Sequence, residues 1–297
     1  MVRWRYYFIF ALALSLAACG TATEEPSAME PSASGSNAIL DSLVFYASFD
    51  REIVGDVGGG DLKAGTRFDH ETEKGEFVFE EGIAGDAFRI LPDAGIHGGA
   101  LEASDILPRR GRLYFPAKGN LAYTQTNFAG SVSFWLKTNP DTMLKTGFSD
   151  PIQITEKGAT NGGLWIDFDN SEPRDLRLGA FQSEGGGRRM IDQTEPDAPL
   201  VRAKAVGFKE QDWHHIAFTW SNFDTGRNDA HAALYIDGKL IGELKDRSIT
   251  MGWDIEKTGI YFAVGHIGLL DELAIFDRPL AADEISRLHQ QPDLVAR

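Results

Sequence analysis

The chain has 297 residues, with 29 Lys and Arg against 44 Asp and Glu, a formal net charge of −15. That excess of anions argues against nucleic acid as a partner, because phosphate contacts need a cationic surface. A hydrophobic content of 42% is too high for a disordered chain, and a single cysteine excludes an internal disulfide or a thiolate zinc cluster.

Met1–Tyr7 carries Arg3 and Arg5, and Phe8–Leu16 is an uncharged apolar run ending at Ala17, Ala18 and Cys19. A basic start, a short apolar stretch and a small-residue cleavage site read as a removable export signal over residues 1–18. Tyr6–Ala18 is too short for a spanning helix, which needs about 20 residues. Leu16-Ala17-Ala18-Cys19 closely resembles the lipobox of bacterial lipoproteins. The resemblance implies that Cys19 becomes the first residue and carries lipid, so that a membrane is a partner. Gly20 rather than Asp after it implies the outer membrane as destination, and hence a lipid-anchored envelope protein. Thr21–Asn37, rich in Ser, Ala, Pro and Glu, has no period and cannot bury enough apolar surface to fold. Residues 19–38 are therefore a lipidated Cys and a tether, of about 25 Å root-mean-square span.

From residue 39 to 297 the dominant period is two, as for strands with one buried face. Strands are expected at Leu43–Phe49, Phe77–Glu80, Ala87–Ile90, Val132–Lys137, Gly163–Asp169, Leu176–Leu178, His214–Trp220, Ala233–Ile236, Leu240–Ile241, Ile260–Val264 and Leu269–Phe276. Asp237-Gly238 is a strong hairpin signal between two of them. Ala281–His289 alone reads as a helix, a short one with Ile285 and Leu288 on one side. Pro92–Lys118 and Gly185–Asp212 are weakly periodic and read as long loops. Many short strands with glycine-rich turns and no interleaved helices make an all-β sandwich in one domain.

Four motifs in this region resemble the laminin-G-like jelly roll of the concanavalin A-like lectin/glucanase superfamily. They are Gly82–Phe88, Gly130–Lys137, Asp212–Ala217 with Leu234–Lys239, and Gly268–Phe276 with Arg278-Pro279-Leu280 and Glu284-Ile285. The resemblance implies a two-sheet antiparallel jelly-roll sandwich closed by one short C-terminal helix. It does not choose among lectins, adhesion modules, glycosidases and lyases, all of which occur on this fold.

The chemistry is narrowed by what is missing. There is no Gly-x-Ser-x-Gly, His-Glu-x-x-His or Walker sequence. His214 and His215 are adjacent on a strand, point to opposite faces and cannot chelate one metal together. A retaining glycosidase needs two carboxylates about 5–5.5 Å apart. Trp165–Asp169 offers Asp167 and Asp169 without the glutamates of Glu-x-Asp-x-x-Glu.

The same alternation sends Leu164, Ile166 and Phe168 inward and leaves Trp165, Asp167 and Asp169 outward. Neighbouring strands add Trp135, Arg177, His215 and Tyr235. Aromatic faces with flanking carboxylate, guanidinium and imidazole groups are the inventory of a glycan-binding sheet. The alternative is that a loop covers these aromatics as a second small core. Arg109, Arg110 and Arg112 form a basic knot, and Arg188-Arg189 a second. Each is either a contact for an anionic polysaccharide or lipid headgroup or an ordinary solvated loop charge. A binding module for glycan or a surface protein is thus set against a polysaccharide-active enzyme and a structural envelope protein.

Asp271 shares its strand face with Leu273 and Ile275, and a carboxylate aimed at a core needs a cation or strong donors. By resemblance, a structural calcium ion joins the first and last strands through Asp271 and Asp50, with a carbonyl from Gly82 or Gly85 as a further ligand. The alternative is that Asp271 caps backbone N–H groups.

Overall fold

A computed structural model describes Met1 and residues 38–73, 76–185 and 191–296. Cys19, with nearly all of the expected leader and tether, and Arg188-Arg189 lie outside the described residues.

Residues 38 onward form a sandwich of two antiparallel sheets. The first runs β15 (Lys239–Arg247), β14 (Ala230–Ile236), β13 (His214–Phe223), β8 (Phe128–Lys137), β17 (Gly268–Phe276), β1 (Leu43–Ala47), β2 (Val57–Gly58), with β6 (Ala100–Ala103) and β5 (Phe88–Leu91) paired on from β17. The second runs β12 (Leu200–Ala203), β11 (Leu176–Phe181), β10 (Gly163–Phe168), β9 (Ser149–Thr155), β16 (Gly259–Val264), β7 (Arg112–Pro116), β3 (Gly65–Asp69), β4 (Phe77–Glu81). One short helix, α1 (Ala282–Gln290), follows the last strand.

Alternation along each strand puts one apolar set between the sheets. Val132, Phe134 and Leu136 of the first sheet and Ile152, Ile154, Leu164 and Ile166 of the second share one buried cluster. Phe45 crosses to Phe115 at 4.9 Å, and Phe115 stacks on Phe262 at 4.9 Å. The Asp237-Gly238 hairpin forms as its residues require: both take positive φ, 51° and 73°, the twist that joins two antiparallel strands through a two-residue turn.

Two expected loops contain strands, β6 and β7 within Pro92–Lys118 and β12 within Gly185–Asp212. β3 and β9 also had no expected counterpart. β9 lies near the centre of the second sheet, yet its Asp150-Pro151 pair reads as a turn and only Ile152 and Ile154 mark its inner face.

Candidate functional site

The expected outward face is divided between the two outer surfaces of the sandwich. Trp135, His215 and Tyr235 belong to the first sheet, and α1 covers them. Tyr235 packs in a small cluster with Ile285 and Leu288, Trp135 stacks on His289 at 5.5 Å, and His215 is fully buried, bonded to the Ser133 hydroxyl at 2.8 Å. Burial, and then the neighbouring His289, push the His215 imidazole down to about 3 against the pull of Asp237, so it is neutral. These three residues are therefore not an open binding face. The cover is the helix rather than a loop, because Ile285 and Leu288 need the apolar surface that the sheet offers. His214 stacks on Phe208 at 3.8 Å and pairs with Asp237 at 2.9 Å, a packing role.

Trp165, Asp167 and Arg177 lie on the other surface, in the second sheet, and they too are buried. Trp165 is 1% exposed; its indole N–H donates to the Ala159 carbonyl at 2.8 Å and its ring stacks on Phe181. Arg177 grips both oxygens of Asp167 and also donates to Gln193 at 2.8 Å, so the segment after β11 caps the pair. Asp169 falls just past β10 and accepts the Asp175 N–H, a turn role off the sheet face.

What the second sheet carries instead is a groove of about 990 Å³. Its floor is set by register. Trp165 pairs with Gln153, and both line the groove; Gln153 pairs in turn with the fully buried Tyr261, and Tyr261 with Tyr114, on four neighbouring strands. Beside this row Arg67 on β3 pairs directly with Arg112 on β7. The walls come from residues 69–73, 106–112, 146–148 and 157–159. Phe148 stands in the wall 40% exposed. A second hollow of about 550 Å³ shares Phe77 and Lys157 with the groove and presents Phe79, 51% exposed, edge-on to Tyr114 at 5.4 Å.

Two carboxyls open into the groove with altered acidity. Burial, and then the neighbouring Asp167 charge, push Asp150 well above the usual carboxylate range, against the pull of Arg112 and Arg177. Its one hydrogen bond is from the Gln153 amide at 2.9 Å. Burial raises Asp167 to about 6 even with Arg177 bound to it. Arg112 is lowered, by burial and by the Arg67 charge beside it. Of the basic knot, Arg109 and Arg110 are surface residues facing Glu71, Glu80 and Asp69; Arg110 lines the rim of the groove with Arg112, and Arg109 does not line it. Arg67, Asp150, Gln153 and Tyr261 were not singled out by sequence. β3 and β9, which carry three of them, were not recognised as strands, and Tyr261 sat unremarked on an expected one.

Asp50 and Asp271 do come together, around the turn at residues 95–99. Asp50 accepts the Gly99 N–H at 2.8 Å, and Asp271 accepts those of Ile96 at 2.7 Å and Glu272 at 3.0 Å. Burial raises Asp271 and Glu272 to about 8 each. Glu272 accepts the Tyr46 hydroxyl at 2.7 Å through one oxygen, and its other oxygen is buried with no hydrogen-bond partner. Phe49 and Glu272, each next to one of the aspartates, hold left-handed φ of 57° and 53°. The Gly82 carbonyl accepts the Thr66 hydroxyl and Gly85 abuts Leu107, so the turn that meets both carboxylates is 95–99 rather than 82–85. An all-oxygen set with an orphaned carboxylate oxygen suits a hard cation such as calcium. Among the described residues no three His, Cys, Asp or Glu side chains form a metal cluster, so carbonyls would have to complete it.

The family model described as concanavalin A-like lectin/glucanases superfamily, of laminin G type, matches residues 111–286. No curated protein matches the chain. Among solved structures, domain 4 of AbnA, a GH43 extracellular arabinanase from Geobacillus stearothermophilus in complex with arabinotriose, is similar at 18% identity and TM-score 0.51, over 84% of this chain and 98% of that one. The binding domain of botulinum neurotoxin DC is similar at 14% identity, in complex with SialylT at TM-score 0.54 and with rat synaptotagmin II at 0.53. In both, 85% of this chain is covered, which spans 52% of the toxin chain.

Proposed function

The chain belongs to the concanavalin A-like lectin/glucanase superfamily, and from that premise we propose that it binds a glycan in the groove of the second sheet. The observation that carries this reading is the convergence of Asp150, Gln153, Arg112 and Arg67 on one hollow beside the exposed ring of Phe148. A few polar groups aimed into a concave site, with an aromatic ring at its wall, are what hydroxyl-rich rings require. The ligands named for the similar structures, arabinotriose and SialylT, support the class and do not name the sugar here. A glycan array probed with the protein and with Phe148→Ala and Gln153→Ala tests it. Both variants should lose signal while melting close to the parent. Unchanged signal from both would move the site elsewhere, and a surface protein would then be the partner to seek.

A second reading is favoured by one observation, the Asp150–Asp167 pair. Two neighbouring carboxyls that burial raises above the usual range, one of them also held by Arg177, can serve as acid and base for glycoside cleavage. Release of reducing ends from a bound polysaccharide, abolished in Asp150→Asn, would establish an enzyme; binding without release would leave a binding module.

Attachment to the bacterial envelope through a lipid on Cys19 is proposed from the lipobox-like sequence alone. Mass spectrometry of the mature N-terminus tests it, and an unmodified first residue would reject it. Calcium between Asp50 and Asp271 is likewise proposed. It would tie the end of β1 to β17 and to the 95–99 turn, a structural role.

A further inference from the structure

The groove contains a buried cation, Arg67, with no ion-pair partner among the described residues. Arg67 is 1% exposed, and among the described residues no carboxylate lies within ion-pair distance of it. Its guanidinium is held flat, 3.3 Å from the centroid of the Phe77 ring and 4.8 Å from that of Tyr261. One nitrogen donates to the Tyr261 hydroxyl at 2.6 Å, while Nε is buried with no partner. Beside it Arg112 makes only long contacts, 3.4 Å to the Gln153 amide oxygen, 3.3 Å to the Arg110 carbonyl and 3.7 Å to Asp69. Asp69, which also lines the groove, is the one acid within ion-pair distance of Arg112 among the described residues, and it is partly exposed; Asp150, the buried acid of the groove, has its charge suppressed by burial.

A buried guanidinium with an unpartnered Nε, next to a second one held only by long contacts, is costly to bury unless an anion meets the pair. Aromatic clamping fixes the plane of Arg67, so its fork is ordered before a ligand arrives, and a forked guanidinium pair matches an oxyanion. Solvated loop arginines would show neither the burial nor the vacant donor.

We propose that Arg67 and Arg112 form an oxyanion subsite, so that the groove selects an acidic glycan, one bearing uronate carboxylates or sulfate esters. The proposal rests on the groove being the glycan site. Gln153 and the carboxyl of Asp150 then serve the neighbouring hydroxyls, and Phe148 the apolar face of the ring.

The test is calorimetric titration of the full chain with polygalacturonate, with the same polymer after carboxyl reduction, with dextran sulfate and with neutral dextran. At least one acidic polymer should bind more tightly than its neutral counterpart by about tenfold or more. Arg112→Gln should remove most of that difference, and Arg112→Lys, which keeps the charge and loses the fork, should fall between. The melting curve of each variant establishes that it is folded, and Arg67→Gln serves as a second probe should Arg112→Gln fail to fold. Polygalacturonate bound in preference to dextran sulfate assigns the anion as carboxylate, and the reverse assigns it as sulfate. Neutral and acidic polymers bound equally would overturn the subsite and leave the groove as a glycan site. No polymer bound by a folded chain would overturn both. Preference for the acidic polymers that survives both arginine substitutions would also overturn the subsite.

Discussion

Gly179 lies under the indole of Trp165. The two are register partners on β11 and β10, and a Cβ at residue 179 would come 2.2 Å from the ring. The ring is held flat against its own sheet, with Phe181 stacked beside it at 5.6 Å. A methyl group there must displace rigid ring atoms, and overpacking of this kind costs about 1–3 kcal/mol. Gly179→Ala should therefore lower the melting temperature and disturb the groove floor. Trp165→Ala should cost more, about 3–5 kcal/mol, because it empties a buried site. A Trp165 on an open glycan-binding face would instead lose binding with little change in folding. Thermal unfolding of the two variants separates them, and a parent-like melt for Trp165→Ala would show that the indole is a free platform after all.

The helix on the first sheet gives a second prediction. Its first turn carries Asp283 and Glu284 and its last turn Arg287 and His289, in accord with its dipole. Glu284 accepts the Ala281 N–H at 2.8 Å and pairs with Arg278 at 2.7 Å, which anchors its start. Leu288→Ala should cost about 2–5 kcal/mol as a buried truncation. Exposure of Trp135 and Tyr235 should then raise binding of an apolar dye. Glycan affinity should not rise, since the groove is on the opposite outer surface. A gain in glycan binding would identify the covered face as the site.

Alternation made β8, β10 and β13 legible, because each sets an unbroken apolar face against the core; in β17 a bulge between Asp271 and Ala274 interrupts the period and turns Leu270, Leu273 and Ile275 inward. Alternation states only whether a side chain points in or out. It is silent on which of two outer surfaces an outward residue meets. Trp135 and Trp165 therefore look equivalent in sequence and lie on opposite sides of the sandwich. The short amphipathic helix was visible through Ile285 and Leu288, but its docking site was not. β3 and β9 stayed hidden because Arg67 and the Asp150-Pro151 pair break the pattern that marks a buried strand. Those same residues line the groove, so the positions least like a structural strand were the ones with chemistry to offer.

Asp150 gives a pH prediction. Folded Asp150 keeps its proton to higher pH than the unfolded chain does, through burial and the charge of Asp167, with Arg112 and Arg177 opposing. Between the ordinary carboxylate range and its raised value the folded state binds more protons, so stability falls as pH rises through that window. Asp150→Asn keeps the shape of the neutral acid and cannot ionise. The D150N and parent chains should melt together near about pH 4, and the variant should become the more stable toward about pH 8. Each kcal/mol of difference is on the order of 2–4 °C in a domain of this size. A parent chain that stays the more stable at high pH would show that Asp150 is ionised and paired in the folded state.

Calcium is tested at Asp271. Its carboxylate is fully buried, yet the groups that meet it are the N–H donors of Ile96, His97 and Glu272, with Asp50 and Glu272 as further acids close by. N–H donors alone suffice for a capping aspartate. They leave unanswered the buried Glu272 oxygen, which has no hydrogen bond and meets only the His97 Nδ1 at 3.8 Å, and the accumulation of three acids. A hard divalent cation answers both, with carbonyls of the chain filling a shell of 6–8 oxygens, as is typical for calcium. An ion bound only by the folded state stabilises by mass action, about 2.7 kcal/mol at a hundredfold excess over its dissociation constant. Calcium should thus raise the midpoint of thermal unfolding above that in EDTA, and Asp271→Asn should abolish the difference while remaining folded in both. Asp50→Asn should shrink it as well, because Asp50 sits across the same turn. If the parent melts identically in calcium and in EDTA, Asp271 is a backbone cap and the link between β1 and β17 is made by hydrogen bonds alone.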